Sequence, residues 1–219
     1  MDSTLTESAA FTLTPIDVIV QTNPAGRPFV VDGVTYTGSR PCVWSATASH
    51  TIGTSSPQGD TATRYLFANW SDGGAQNHTI APITDSIFTV NFSTQYFLTM
   101  DTGTGGGTLT PPSGFFNAGS PVQVSAAPRT GYTFGSWQGT GAGSYTGANN
   151  PATVTMNAPV RETALWAAGT SPVTVTTAPA GVGSTVDGVN YVSPQTCNRT
   201  TGSTHTIGAD SLVTSASPN

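Results

Sequence analysis

Asp32, Cys42 and His50 form one close set in the sequence, and Asp187, Cys197 and His205 form another with the same spacing. A carboxylate, a thiol and an imidazole are the parts of a nucleophilic site, in which the imidazole activates the thiol and the carboxylate orients the imidazole. Both cysteines and two of the three histidines fall in these stretches, VDGVTYTGSRPCVWSATASHTIG and VDGVNYVSPQTCNRTTGSTHTIG. A cysteine hydrolase using Cys42, His50 and Asp32 is therefore one reading. Against it, each Asp stands in an Asp-Gly pair that a hairpin turn explains without chemistry. No G-x-S-x-G nucleophile elbow is present either.

Metal chemistry has two candidates. Cys42, His50, Cys197 and His205 make a Cys₂His₂ set, but the chain has no C-x-x-C knuckle and the pairs lie in separate repeats. Asn69 and Asp72 in NWSDGG have the style of a calcium loop without the run of carboxylates that a hard cation needs, so a tight hairpin is the competing reading. No metal and no cofactor is expected. Buried free thiols are expected for Cys42 and Cys197, because equivalent positions in a linear array lie too far apart for a bridge. A bridge between chains is the alternative.

Binding has aromatic candidates. Trp70 and Trp137 recur with Tyr and Phe at fixed spacing (Y-x-F-x-x-W) and read as core anchors. Trp44, Phe115 and Phe116 do not recur. With Tyr145 they are the candidates for an exposed platform against a sugar ring. Sequons at Asn69, Asn77, Asn91 and Asn198 matter only in a eukaryotic host.

The elements that carry these residues are duplicated. Residues 22–53 align with 177–208 without gaps, at an offset of 155 residues and with 14 of 32 positions identical. The offset extends upstream, laying Glu7 on Glu162 and Phe11 on Trp166. A weaker similarity relates RYLFANWSDGG (64–74) to GYTFGSWQGTG (131–141). The expected organisation is a terminal strand of a preceding module at 1–16, modules at 17–94 and 95–168, and a truncated module at 169–219 that repeats 14–64. A chain cut out of phase with its repeat reads as a fragment of a longer array, or as an edge completed by a neighbouring chain, with 172–219 the least stable part.

Composition fits this. Charged residues make up 8% and lysine is absent, so the basic footprint of a nucleic-acid binder is missing. A Schiff-base lysine is excluded as well. No apolar run is long enough for a spanning helix, and the N-terminus lacks the pattern of an export signal, which in an exported protein would lie upstream or have been removed. Period-two alternation predicts strands at 17–22, 29–36, 49–54, 64–70, 86–92, 96–101, 107–110, 121–127, 132–137, 152–156, 161–166, 172–177, 184–191 and 204–208. A short helical turn is placed in 143–150. The fold class is all-β: tandem small β-sandwich or β-grasp-like modules with an incomplete C-terminal module.

These stretches resemble bacterial surface repeats. VIVQTNPAGRPFVVDGVTYTG…HTIG (17–53) is similar to a PEGA-type module. Residues 96–166, from LTMDTGTGGGTLTPPSGFFNAGSPVQVSAAPRTGYTFGSWQG to PATVTMNAPVRETALW, resemble the divergent internalin-type B repeat. The departures are Cys42 and Cys197, where an apolar residue or Thr is expected. The resemblance implies an extracellular protein in which the modules are non-enzymatic spacers, adhesion stalks or binding appendages. Its expected partners are a glycan or surface protein ligand, and neighbouring repeats or chains at the open C-terminal module. A carbohydrate-binding appendage of a secreted enzyme is the second reading.

Overall fold

The computed structural model describes residues 14–178 and 180–209. They contain strands and turns and no helix. The chain divides into two compact units, one built from residues 14–97, 114–120 and 156–159, the other from 98–113, 121–155 and 160–209. The helix-free strands fit the sandwich alternative. The helical turn expected in 143–150 is instead an irregular loop, in which Gly147 exchanges backbone hydrogen bonds with Trp137. The terminal strand expected at 1–16 and the far end of the third module fall largely outside the described residues.

In the first unit β1 (Pro15–Asn23) is laid down by strict alternation, with Ile16, Val18, Val20 and Thr22 buried. The hairpin β2 (Phe29–Val31) and β3 (Val34–Tyr36) follows, then β4 (Arg40–Ser45), β5 (His50–Gly53), β6 (Gln58–Gly59), β7 (Thr63–Trp70), β8 (Asn77–Ile80) and β9 (Ser86–Asp101). One sheet has β4 antiparallel to β1, β1 parallel to β9 and β9 antiparallel to β7, with β6 on β7. The second sheet runs β3-β2-β5-β8. The core between them joins Val18 and Val20 to Phe29, Val31, Ile52, Trp70, Phe88 and Val90. Each such aliphatic or aromatic side chain contributes roughly 1.5–3 kcal/mol by leaving water.

Residues of β9 up to Phe97 belong to the first unit and those from Leu98 to the second. The second unit adds β10 (Gly107–Thr110), while β11 (Gly114–Asn117) pairs back onto β9 in the first. Next come β12 (Pro121–Pro128), β13 (Tyr132–Thr140), β14 (Ala152–Thr155) and β15 (Val160–Ala168). β13 is antiparallel to β15, and β15 is parallel to Leu98–Asp101 of β9. Strands β10, β12 and β14 make the facing sheet. Trp137, Leu98, Val124, Val154, Val160 and Ala164 are buried. The first strand of a module thus pairs in parallel with its last strand in both units: β1 with β9, and the end of β9 with β15.

The Y-x-F-x-x-W spacing has a structural cause. The register of β7 on β9 slips between Phe67 and Asn69, and that of β13 on β15 slips between Phe134 and Ser136. The extra residue, Ala68 or Gly135, is a β-bulge. It returns Trp to the face of the preceding Phe, which plain alternation would put on opposite sides. Phe134 and Trp137 then touch, with ring centroids 5.4 Å apart.

The last elements are β16 (Thr170–Val175), β17 (Gly183–Val186), β18 (Val189–Val192), β19 (Gln195–Thr200) and β20 (Ile207–Ala209). β16 pairs with β19 from Thr170↔Thr200 to Val175↔Gln195, as β1 pairs with β4 from Pro15↔Ser45 to Val20↔Arg40. β17 pairs with β18 and β20, as β2 pairs with β3 and β5. Every partner is shifted by the same 155 residues. The two copies have the same register as well as similar sequences.

Candidate functional site

The Val-Asp-Gly-Val stretch closes a two-residue hairpin, which needs left-handed backbone at both central positions. Asp32 and Gly33 take φ of 48° and 80°, and Asp187 and Gly188 take 51° and 77°. Asp tolerates this conformation because its short polar side chain can bond locally. Here the side chain reaches across to β5. Thr51 N donates to Asp32 Oδ1 at 2.8 Å, and His50 Nδ1 lies 2.7 Å from Oδ2. The backbone adds Asp32 N to Thr51 O at 2.9 Å. The His50 hydrogen bond, helped by the Thr51 amide, holds the Asp32 carboxyl below its ordinary range against a little burial. An ionised carboxylate accepts only, so Nδ1 carries a proton. Trp44 lies flat on the imidazole, with centroids 3.8 Å apart and planes 10° from parallel.

The second copy repeats the latch. His205 Nδ1 lies 2.7 Å from Asp187 Oδ2, and Thr206 N donates to Oδ1 at 3.0 Å. Two surrounding residues differ. Arg199 stands where the first copy has Trp44, with its guanidinium 3.4 Å from Asp187 Oδ2. Ser203 replaces Ala48 and brings its Oγ to 2.5 Å from His205 Nε2. Ser203, His205 and Asp187 therefore have the contacts of a hydrolase triad. The same Oγ is 2.6 Å from Thr200 O, which competes for its single proton. The first copy keeps the Asp–His pair with an alanine in that place, so the hairpin sets the pair's geometry.

Each cysteine sits opposite a valine, Cys42 across from Val18 and Cys197 across from Val173. Both are free and half-buried. The Sγ of Cys42 approaches Arg40 O at 3.9 Å and that of Cys197 approaches Gln195 Nε2 at 3.8 Å. Asp32 and His50 are thus brought together, while the recorded polar contact of Cys42 is with Arg40.

Asn69 and Asp72 each bond elsewhere. Asn69 Oδ1 accepts from Asn91 Nδ2 at 2.9 Å. Asp72 Oδ2 meets His78 Nε2 at 2.9 Å, and Oδ1 accepts from Gly74 N. All three histidines are therefore paired with an Asp. Among the described residues no group of three His, Cys, Asp or Glu could hold a metal ion.

The aromatic candidates lie on different elements. Trp44 is on β4 and is half-buried on His50. Phe115, on β11, has Arg64 stacked over it at 4.1 Å and Phe97 against its edge. Phe116 is its half-buried neighbour. Tyr145 lies in the second unit, where its OH accepts from Asn149 N at 3.2 Å. The first unit also has an open groove of about 420 Å³ on the face of β2, β5 and β8, lined in part by Val30, Gly33, Thr51, Asn77 and Thr79.

Glu162 is a site that sequence reasoning passed over. It is fully buried on β15. Oε1 accepts from Tyr145 N at 2.7 Å, and Oε2 is buried with no partner. Burial pushes its carboxyl up, against that one hydrogen bond. The signal was available: in VRETALW the Glu occupies an inward position between Val160 and Ala164.

Fold and geometry together define a tandem all-β repeat chain with a duplicated Asp–His latch. Residues 96–170 match the divergent InlB B-repeat domain family. Residues 17–53 lie outside that match. No curated protein and no solved structure gives a significant match.

Proposed function

We propose that this chain is a non-enzymatic repeat segment of an exported bacterial surface protein, acting as a stalk or as an adhesion and binding region. The observation that carries the reading is the recurrence, register for register, of strands 15–53 at 170–208. The B-repeat match over 96–170 supports a surface role. Residues 17–53 are read as PEGA-like. Among the described residues no helix is long and apolar enough to cross a membrane.

Antiserum against this chain should label intact cells of the native host. Labelling that appears only after lysis contradicts the reading. Activated esters should be hydrolysed equally by the chain and by its Cys42→Ala and Ser203→Ala variants. A turnover abolished by either substitution would replace the proposal with a hydrolase. The second reading, a carbohydrate-binding appendage, has the open groove over β2, β5 and β8 in its favour. It requires glycan binding that falls on Trp44→Ala or Phe115→Ala.

A further inference from the structure

The third module carries a strand position that the first two modules fill. In the first module β1 has β4 on one edge and β9 on the other, with Val18 paired in parallel to Ser86 and Asn23 to Asn91. In the second, the end of β9 takes β15 in parallel. Among the described residues β16 pairs with β19 alone.

The buried face follows the same pattern. Val18, Val20 and Ile52 are at most 2% exposed beneath Trp70, Phe88 and Val90. At the equivalent positions Val173 is 44% exposed, Ile207 is 61% exposed and Val175 is half-buried, while Val186, the counterpart of Val31, stays at 3%. Val173, Val175, Val186, Cys197 and Ile207 line an apolar recess of about 50 Å³, together with Arg199 and His205. Alternating valines, Val173 exposed and Val175 half-buried, beside an edge unpaired among the described residues are the surface that an added strand uses: backbone pairing gives affinity and alternate side chains give specificity.

We infer that β16 and this recess accept an added strand from a segment with the chemistry of Ser86–Phe92, running parallel to β16. Its alternate residues would be aromatic or aliphatic, like Phe88, Val90 and Phe92. This deepens the repeat reading of the chain and rests on it. A second copy of the chain is a poor donor, because its own β9 is already paired on both edges.

The test uses the whole chain and a synthetic peptide with the sequence of residues 85–93, DSIFTVNFS. Cys197 lines the recess, and Cys42 in the first unit is the internal control. At ten times its dissociation constant the peptide should slow Cys197 alkylation roughly tenfold and leave Cys42 unchanged. A peptide with Asp in place of the residues matching Phe88 and Val90 should have no effect, nor should one N-methylated along its pairing edge. Those peptide controls leave the protein intact, so misfolding cannot mimic the result. The Val173→Asp variant should lose the response.

No protection of Cys197 by the peptide overturns the inference. Cys197 protection that rises with protein concentration alone assigns the face to a second copy and overturns it. Peptide protection that appears only after deletion of residues 210–219 assigns the face to the chain's own tail, with the same consequence. Surface labelling of cells is independent of all these outcomes, so failure here leaves the functional reading to its own test.

Discussion

Trp44 and Arg199 occupy the same register position 155 residues apart, and each packs against the Asp–His latch in a different way. Trp44 stacks on the His50 ring, whereas Arg199 places Nη1 3.4 Å from the carboxylate of Asp187. The latch tolerates both neighbours, so its geometry comes from the Asp-Gly hairpin and the strand beside it. Asp32→Ala removes the acceptor for Thr51 N and His50 Nδ1 on a half-exposed group, and should cost about 1 kcal/mol. Asp32→Asn keeps an acceptor and the tolerance for positive φ, and should cost less. Urea unfolding followed by fluorescence checks both.

The two bulged aromatic strands predict a larger loss. Trp70 is 1% exposed and Trp137 is fully buried. Trp70→Ala and Trp137→Ala should each destabilise by about 3–5 kcal/mol. Each loss should appear in the transition of the unit that holds the tryptophan, read by amide exchange.

pH acts in two directions. His50 and the Thr51 amide hold Asp32 below its ordinary range. Burial opposes the same shift at Asp72, but the His78 and Gly74 hydrogen bonds outweigh it. A folded-state value below the unfolded one stabilises above about pH 4 and is lost as pH falls through the depressed value. Glu162 has the opposite sign. Its raised folded value stabilises at low pH, and the advantage is lost as pH rises through that value. Glu162→Gln should therefore match wild type near pH 4 and melt higher than wild type at pH 8. Thermal melts across pH read both limbs, with Asp32→Asn flattening only the acid one.

The repeat alignment explains a weak point in the third module. Ser184 stands where the first copy buries Phe29, and its Oγ is buried without a partner. Removing an unsatisfied buried hydroxyl is neutral or favourable. Ser184→Ala should raise the stability of residues 170–209 by up to about 1 kcal/mol.

Much of this was legible in the sequence, for physical reasons that also mark the misses. β1, β12 and β15 alternate cleanly because one face of each is buried. β4 escaped because Pro41 interrupts RPCVWS. A proline is tolerated there because, among the described residues, β4 pairs only with β1 and lies at the edge of its sheet. β19, QTCNRT, is polar along its length and carries little pattern. The bulges were encoded in the Phe-x-x-Trp spacing but are invisible to a strict period of two. The Asp–His pairing was half legible. The residues were marked as a set, but hairpin geometry selects His50 for Asp32 and leaves Cys42 opposite Val18.

Residue-resolved hydrogen exchange of the whole chain tests the central claim most directly, that residues 170–209 repeat the β1–β5 scaffold with one strand position unfilled among the described residues. Along Val18–Val20 of β1, paired with β4 on one edge and β9 on the other, amide protection should be continuous. Along Ser171–Val175 of β16 it should alternate, with Pro172 lacking an amide, protected toward β19 and fast on the other edge. Continuous protection along β16 in the chain alone would contradict the account.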